Sequence, residues 1–200
     1  MTIKSDPQLQ HWSAQIRAAA ARGHSLELRG GGSKSWYGQT IQGELLSTQN
    51  YAGIISYEPS ELVLRAKAGT TVSAVRELLD QHGQRLAFEP PEFAGIATLG
   101  GMLASGLCGP GRYQSGPLRD FVLGVSILDG RGDFLQFGGQ VMKNVAGYDV
   151  SRSHAGAFGS LGLVCNLTLK VLPKAETELS LVLQMHEREA QQKLQIWRQR

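Results

Sequence analysis

The sequence has few cysteines, few histidines and no long apolar run, and each shortage removes a class of function. Cys108 and Cys165 stand far apart with no CxxC spacing, so both read as buried free thiols of an intracellular chain rather than a disulfide framework. The five histidines (His11, His24, His82, His154 and His186) form no HExxH or HxH pattern, which gives no metal site. No stretch approaches the ~18 apolar residues of a membrane span. The start MTIKSDPQLQHW has no apolar core of a secretory signal. Charge of one sign is also scarce. Twenty basic and 17 acidic residues leave a formal charge of +3, and the basic ones form no stripe that would follow a nucleic-acid backbone.

Glycine is abundant instead, at 25 of 200 residues against a usual ~7%. Most of it lies between Gly95 and Gly162, with no period of three. Glycine permits positive φ and close backbone approach, so the enrichment signals a turn-rich fold or a site where a ligand meets main chain.

Leu9, Trp12, Ile16 and Ala19 recur at helical spacing and predict a helix over 7–22 ended by Gly23. A short strand over 26–28 follows, then strands at 53–57 and 62–66, and a helix from Thr70 or Thr71 to Gln81. The first ninety residues thus alternate strands and helices. From Pro90 the character changes. A short helix opens near Gly100, a hairpin over 118–137 turns at Asp129-Gly130, and a strand covers 163–171. The expected organisation is one domain over 1–173, with lobes over about 1–91 and 92–173. A strand over 178–185 and a polar helix over 187–198 then begin a further, incomplete unit over 174–200, exposing Leu181, Leu183 and Trp197.

Two glycine loops carry the chemistry. Arg29-Gly30-Gly31-Gly32-Ser33-Lys34 follows a strand, where three glycines let the backbone curl and turn its N–H groups toward an anion. It matches neither the GxGxxG fingerprint nor a P-loop. The second, Thr98-Leu99-Gly100-Gly101 with Ser105 and Gly106, opens a helix, whose first N–H groups and dipole favour phosphate. Two such loops suit a diphosphate, although tight turns and tight helix packing account for each loop equally well. Lys143-Asn144 beside Gly147-Tyr148-Asp149 reads as a hydrogen-bonding turn or a ligand wall.

With these segments in order, the chain resembles the FAD-binding domain of the vanillyl-alcohol-oxidase and para-cresol-methylhydroxylase (PCMH) type, and within it the FAD-binding E subunits of bacterial glycolate oxidases (glycolate dehydrogenases). The likeness rests on Arg29 to Ser33, Gly95 to Gly106, Arg119-Asp120-Phe121-Val122-Leu123-Gly124, Lys143 to Asp149, and Gly156 to Val164. It implies an α+β fold of two lobes, the first with a small parallel sheet and the second with a mixed or antiparallel sheet, followed by a truncated cap segment. FAD would lie between the lobes. Its pyrophosphate would meet Arg29, Gly30, Gly31, Gly32, Ser33 and Lys34 together with Thr98, Leu99, Gly100, Gly101, Ser105 and Gly106. Gly162 and Val164 would support the adenine end, and Arg112, Gly116 and Arg119 would flank the flavin.

Relatives with covalent flavin carry His where this chain has Ser33, so the resemblance implies dissociable FAD. Many relatives carry Asn where this chain has Ser105. The implied activity is oxidation of glycolate, a small 2-hydroxy acid, to glyoxylate, with a second flavoprotein subunit and an iron–sulfur subunit as partners. The implied location is the cytoplasm, peripheral to the inner membrane face through those partners. No residue is identified as the catalytic base, and His154 has only a weak claim. The contrasting expectation is a non-catalytic scaffold that keeps the fold for assembly without binding FAD.

Overall fold

A computed structural model describes residues 6–40, 42–139 and 148–198. The first helix, α1 (Pro7–Arg22), begins at Asp6, whose carboxylate accepts from the N–H groups of Gln8 and Leu9. Pro7 at its first position costs no hydrogen bond, and Gly23 ends it at φ 66. Leu9, Trp12, Ile16 and Ala19 are the buried stripe. Strand β1 (Leu26–Arg29) pairs in parallel with β2 (Glu44–Ser47), which the sequence reading missed because only Leu46 of its four residues is buried.

The main sheet has five antiparallel strands: β3 (Ile54–Glu58), β4 (Val63–Lys67), β6 (Val122–Leu128), β7 (Phe134–Gly138) and β8 (Leu163–Lys170), in the order β3-β4-β8-β6-β7. Between β4 and β6 the chain forms α2 (Val72–Asp80), the two-residue β5 (Gln84–Arg85), α3 (Leu99–Ser105) and α4 (Arg112–Ser115). Thr71 caps α2 through its hydroxyl, as expected. The turn α5 (Val150–Ser153) precedes β8, β9 (Leu172–Pro173) pairs with β5, and α6 (Glu187–Arg198) follows.

Two features differ from the sequence reading. Strands β3 and β4, expected in the first lobe, belong to the same sheet as β6 and β8. The cause is burial. Leu64 and Ala66 of β4 join Leu167 and Leu169 of β8 in one core with α2 and α3. The alternation of strands and helices before residue 90 therefore does not mark parallel βαβ units. The strand expected over 178–185 is absent: the segment is irregular, with Leu181 and Leu183 exposed. An apolar alternation makes a strand only where an edge completes its ladder, and no described edge pairs with this one.

The opposite side of the sheet packs on α1. Trp12 meets Tyr51 edge-on at 5.1 Å, Leu46, Leu128, Leu163 and Cys165 complete the cluster, and the Tyr51 hydroxyl donates to Asp6 Oδ2 at 2.8 Å. Burial, with the Asp6 carboxylate adding to it, holds the Tyr51 phenol well above its usual pKa. Asp6 thus caps a helix and satisfies a buried hydroxyl at once. Asp6→Ala should destabilise the fold by about 2 kcal/mol, roughly one for the cap and one for the unpaired hydroxyl. Urea unfolding measures it. A shift no larger than that of Tyr51→Phe would show that the cap contributes nothing.

Candidate functional site

Strand β1 delivers the first glycine loop to the mouth of a cleft of about 280 Å3, lined by Glu27 to Ser35 on one side and by Thr98, Gly101, Ala104 and Ser105 on the other. The two loops touch through backbone. A Cβ on Gly30 would overlap Thr98 Oγ1, and one on Gly31 would overlap the Ile96 carbonyl. These glycines are required by loop-on-loop packing before any ligand is considered. Gly32 differs: it has φ +70 and open space around it, with Arg29 Cδ nearest at 3.8 Å.

The donors are distributed differently from the sequence expectation. In α3 the first N–H groups are already used: Leu99 donates to the Thr70 carbonyl at 2.9 Å, Gly100 to that of Ala68 at 2.8 Å, and Gly101 to Thr98 Oγ1 at 3.3 Å. The second loop therefore acts as a wall. Leu99 is fully buried in the core, and Gly106 is the left-handed cap of α3 at φ 65. The N–H groups of Gly31, Gly32 and Ser33, in contrast, have no acceptor among the described residues.

Lys34 adds the charge. Its Nζ lies 3.3 Å from Ser33 Oγ and 5.4 Å from the centre of the Phe93 ring. No carboxylate pairs with it among the described residues. Burial lowers its pKa, and an anion in the cleft would offset that penalty. Arg29 is engaged differently, its guanidinium Nε donating to Glu27 Oε1 at 2.9 Å. N–H groups with no acceptor among the described residues, beside a half-buried ammonium with no carboxylate partner there, fit a pyrophosphate; the same donor set offers nothing to a metal.

Beyond the anion cleft the groove continues. A hollow of about 60 Å3 is lined by Gly30, Gly100, Gly101, Gly162 and Val164. An apolar recess of about 430 Å3 follows, between α1, β1 and the start of β8. Phe158 lines all three spaces, a residue that the sequence reading did not single out. Its signal was an aromatic side chain between glycines, in Gly156-Ala157-Phe158-Gly159. Tyr37, also missed, lines the cleft and meets Phe158 with ring centres 5.5 Å apart.

Some expected residues lie elsewhere. Arg112, Gly116 and Arg119 line none of these three spaces. Gly116 packs against the Asp120 carboxylate instead. His154 is buried at 3% exposure, with Nδ1 3.0 Å from the Val150 carbonyl, and it too is absent from the lining. Residues Lys143 to Gly147 fall outside the described residues, while Asp149 caps α5 by accepting from Arg152 N. Among the described residues no cluster of His, Cys, Asp and Glu could hold a metal ion.

The loop contact separates two kinds of glycine. Gly31→Val should cost roughly 1–3 kcal/mol or more, because a branched side chain must displace the Ile96 backbone. Gly32→Ala should cost about 1 kcal/mol, the strain of a left-handed L-residue. Thermal unfolding of the two variants gives the comparison; equal losses would show that the loops are not in backbone contact.

Comparison with known proteins agrees with this geometry. The sequence pattern of a family described as "FAD binding domain" matches residues 8–138. The chain is 42% identical over 183 residues to the glycolate oxidase subunit GlcE of Escherichia coli, covering 92% of this chain and 52% of that protein. It is 36% identical over 97 residues to the glycolate oxidase subunit GlcD of Bacillus subtilis, covering 48% and 21%. It is 28% identical over 164 residues to a D-lactate dehydrogenase of Archaeoglobus fulgidus, covering 81% and 36%. The chain thus spans about half the length of the first relative and less of the other two. With that match running through both loops and most of the five-stranded sheet, the chain belongs to the FAD-binding domain family of PCMH type.

Proposed function

We propose that this chain is the non-covalent FAD-binding subunit of a glycolate-oxidase-like complex and that it does not oxidise the 2-hydroxy acid by itself. The observation that carries the reading is the cleft: N–H groups of Gly31 to Ser33 with no acceptor, and a Lys34 ammonium with no carboxylate partner, among the described residues, on a chain similar to GlcE over 92% of its length. Gly31, Gly32, Ser33 and Lys34 would hold the pyrophosphate, with Thr98, Gly101 and Ser105 as the opposing wall. FAD, when bound, supplies two-electron redox chemistry. The chain's own residues bind and orient it and exclude water from one side. Ser33 stands where a covalent link would need a histidine, so the flavin is dissociable.

Removal of a hydroxyl proton from the substrate needs a base beside a carboxylate-binding cation. The cleft's titratable side chains are Glu27, Arg29, Lys34 and Tyr37. Glu27 is tied to Arg29, and among the described residues no histidine lines the cleft. That argues for a role completed by partner subunits, a second flavoprotein of the GlcD kind and an iron–sulfur protein, and for peripheral attachment to a membrane through them. No helix among the described residues is long and apolar enough to cross a membrane.

A second reading shares this non-catalytic role but omits the cofactor, keeping the fold for assembly alone. The Glu27–Arg29 pair favours it, because a carboxylate at the cleft's mouth neutralises one of its two cations. Purified chain supplied with FAD decides between them. Flavin absorbance that copurifies with the protein and passes wholly into the supernatant on acid precipitation is the expected result. Colourless protein supports the scaffold reading, and flavin retained in the pellet refutes non-covalent binding. With an artificial electron acceptor and glycolate, the flavin-loaded chain alone should show no turnover above free FAD. Robust turnover without partners would show that the reacting groups reside in this chain.

A further inference from the structure

Phe158 is held in a conformation that the fold alone does not explain. It has φ +52, a region where an L-residue is strained by roughly 1–2 kcal/mol. Glycines at 156 and 159 on either side also have positive φ, so the turn tolerates glycine. The residue is 51% exposed and belongs to neither hydrophobic core. Its main chain, however, is fixed: the N–H donates to the Ala104 carbonyl at 2.9 Å, on the helix that walls the anion cleft. The ring is thereby set over the groove. Strain of this kind at a cleft is a sign of a ligand contact rather than of packing.

Position supplies the second observation. Leu28 and Phe158 are the two residues common to the anion cleft, the small hollow and the apolar recess. The three spaces therefore meet at these two residues. Leu28 offers an aliphatic surface and Phe158 an aromatic one, which meets the Tyr37 ring at 5.5 Å and 42°. The recess beyond is lined by Ile16, Leu26, Leu128, Leu161 and Leu163, suited to a flat apolar face and not to phosphate.

We propose that Phe158 and Leu28 form a clamp that grips a planar heteroaromatic ring of the dinucleotide whose pyrophosphate lies on the glycine loop. This rests on the FAD-binding reading and adds to it the residues that hold the ring. The substitutions Phe158→Leu and Phe158→Tyr separate stacking from bulk, because both keep the strained backbone and a large side chain. FAD affinity should fall roughly tenfold or more in F158L, the scale of one lost base–aromatic stack. It should stay near wild type in F158Y. Phe158→Gly should lose at least as much affinity as F158L, while its urea midpoint without FAD remains no lower than that of wild type.

Titrations with ADP and with FMN identify the ring. The loss should appear with the half of the cofactor that reaches the clamp and not with the other. Wild-type FAD affinity in F158L and F158G overturns the clamp, as does a loss shared equally by ADP and FMN, which would report a disordered loop. Wild-type protein that takes up no flavin removes the underlying reading, and the clamp with it. Flavin uptake by wild type with an unaffected F158L removes the clamp alone.

Discussion

The backbone contact between the two glycine loops is the constraint on which the rest of the cleft depends. Ile96 and Thr98 occupy the space where side chains of residues 30 and 31 would stand. This packs the end of the small parallel sheet directly onto the start of α3. The Thr98 hydroxyl serves both sides, lying against Gly30 and accepting from Gly101 N. At Gly31 the contact is main chain on main chain, against the Ile96 carbonyl, and leaves little room for adjustment. The contact fixes the cleft's width, and a cleft held in this way would spare binding the entropy of ordering two loops.

That contact also divides the work between the loops. In α3 the terminal donors are used in joining the helix to the segment at Ala68 and Thr70, so its contribution is shape. In the first loop, which leaves β1 without continuing into a helix, the N–H groups of Gly31, Gly32 and Ser33 have no acceptor among the described residues. One loop is spent on the fold and the other on the anion. The five-stranded sheet makes this possible. Strand β4 reaches across to β8, and the turn after β4 supplies the carbonyls that hold α3.

Local signals in the sequence were read correctly wherever one residue type has one strong reason to be present. The apolar stripe of α1 with Gly23 behind it, the Thr71 cap and the Asp129-Gly130 turn all carry their own explanation. Sheet membership was not legible, because it depends on which edge a strand finds. Strand β4 found β8, while the alternating leucines of 179–183 found none. The glycine loops stood out for two competing reasons, ligand approach and tight packing. Their glycines mark close approach, but at positions 30 and 31 the approaching atoms are the protein's own. Phe158 and Tyr37 were invisible because an isolated aromatic in a loop has no periodicity, and only the three-dimensional path of the groove gives them meaning.

The residues around the cleft that burial does not justify are those for which a ligand would. Two of the five non-glycine residues with positive φ among the described residues, Phe93 and Phe158, sit beside the cleft or line it. Phe93 carries the ring beneath the Lys34 ammonium, and Phe158 lines the groove itself. Trp36 and Tyr37 join them in an unbroken row of ring contacts from Phe93 to Phe158, with centres 5.5 to 5.7 Å apart. A fold selected only for its core would relax such strain and withdraw these rings from water. Here they stand beside the same loops that leave three N–H groups without an acceptor and one ammonium without a carboxylate partner among the described residues. Each feature carries a cost, and an extended molecule with an anionic centre and a flat ring would offset all of them together.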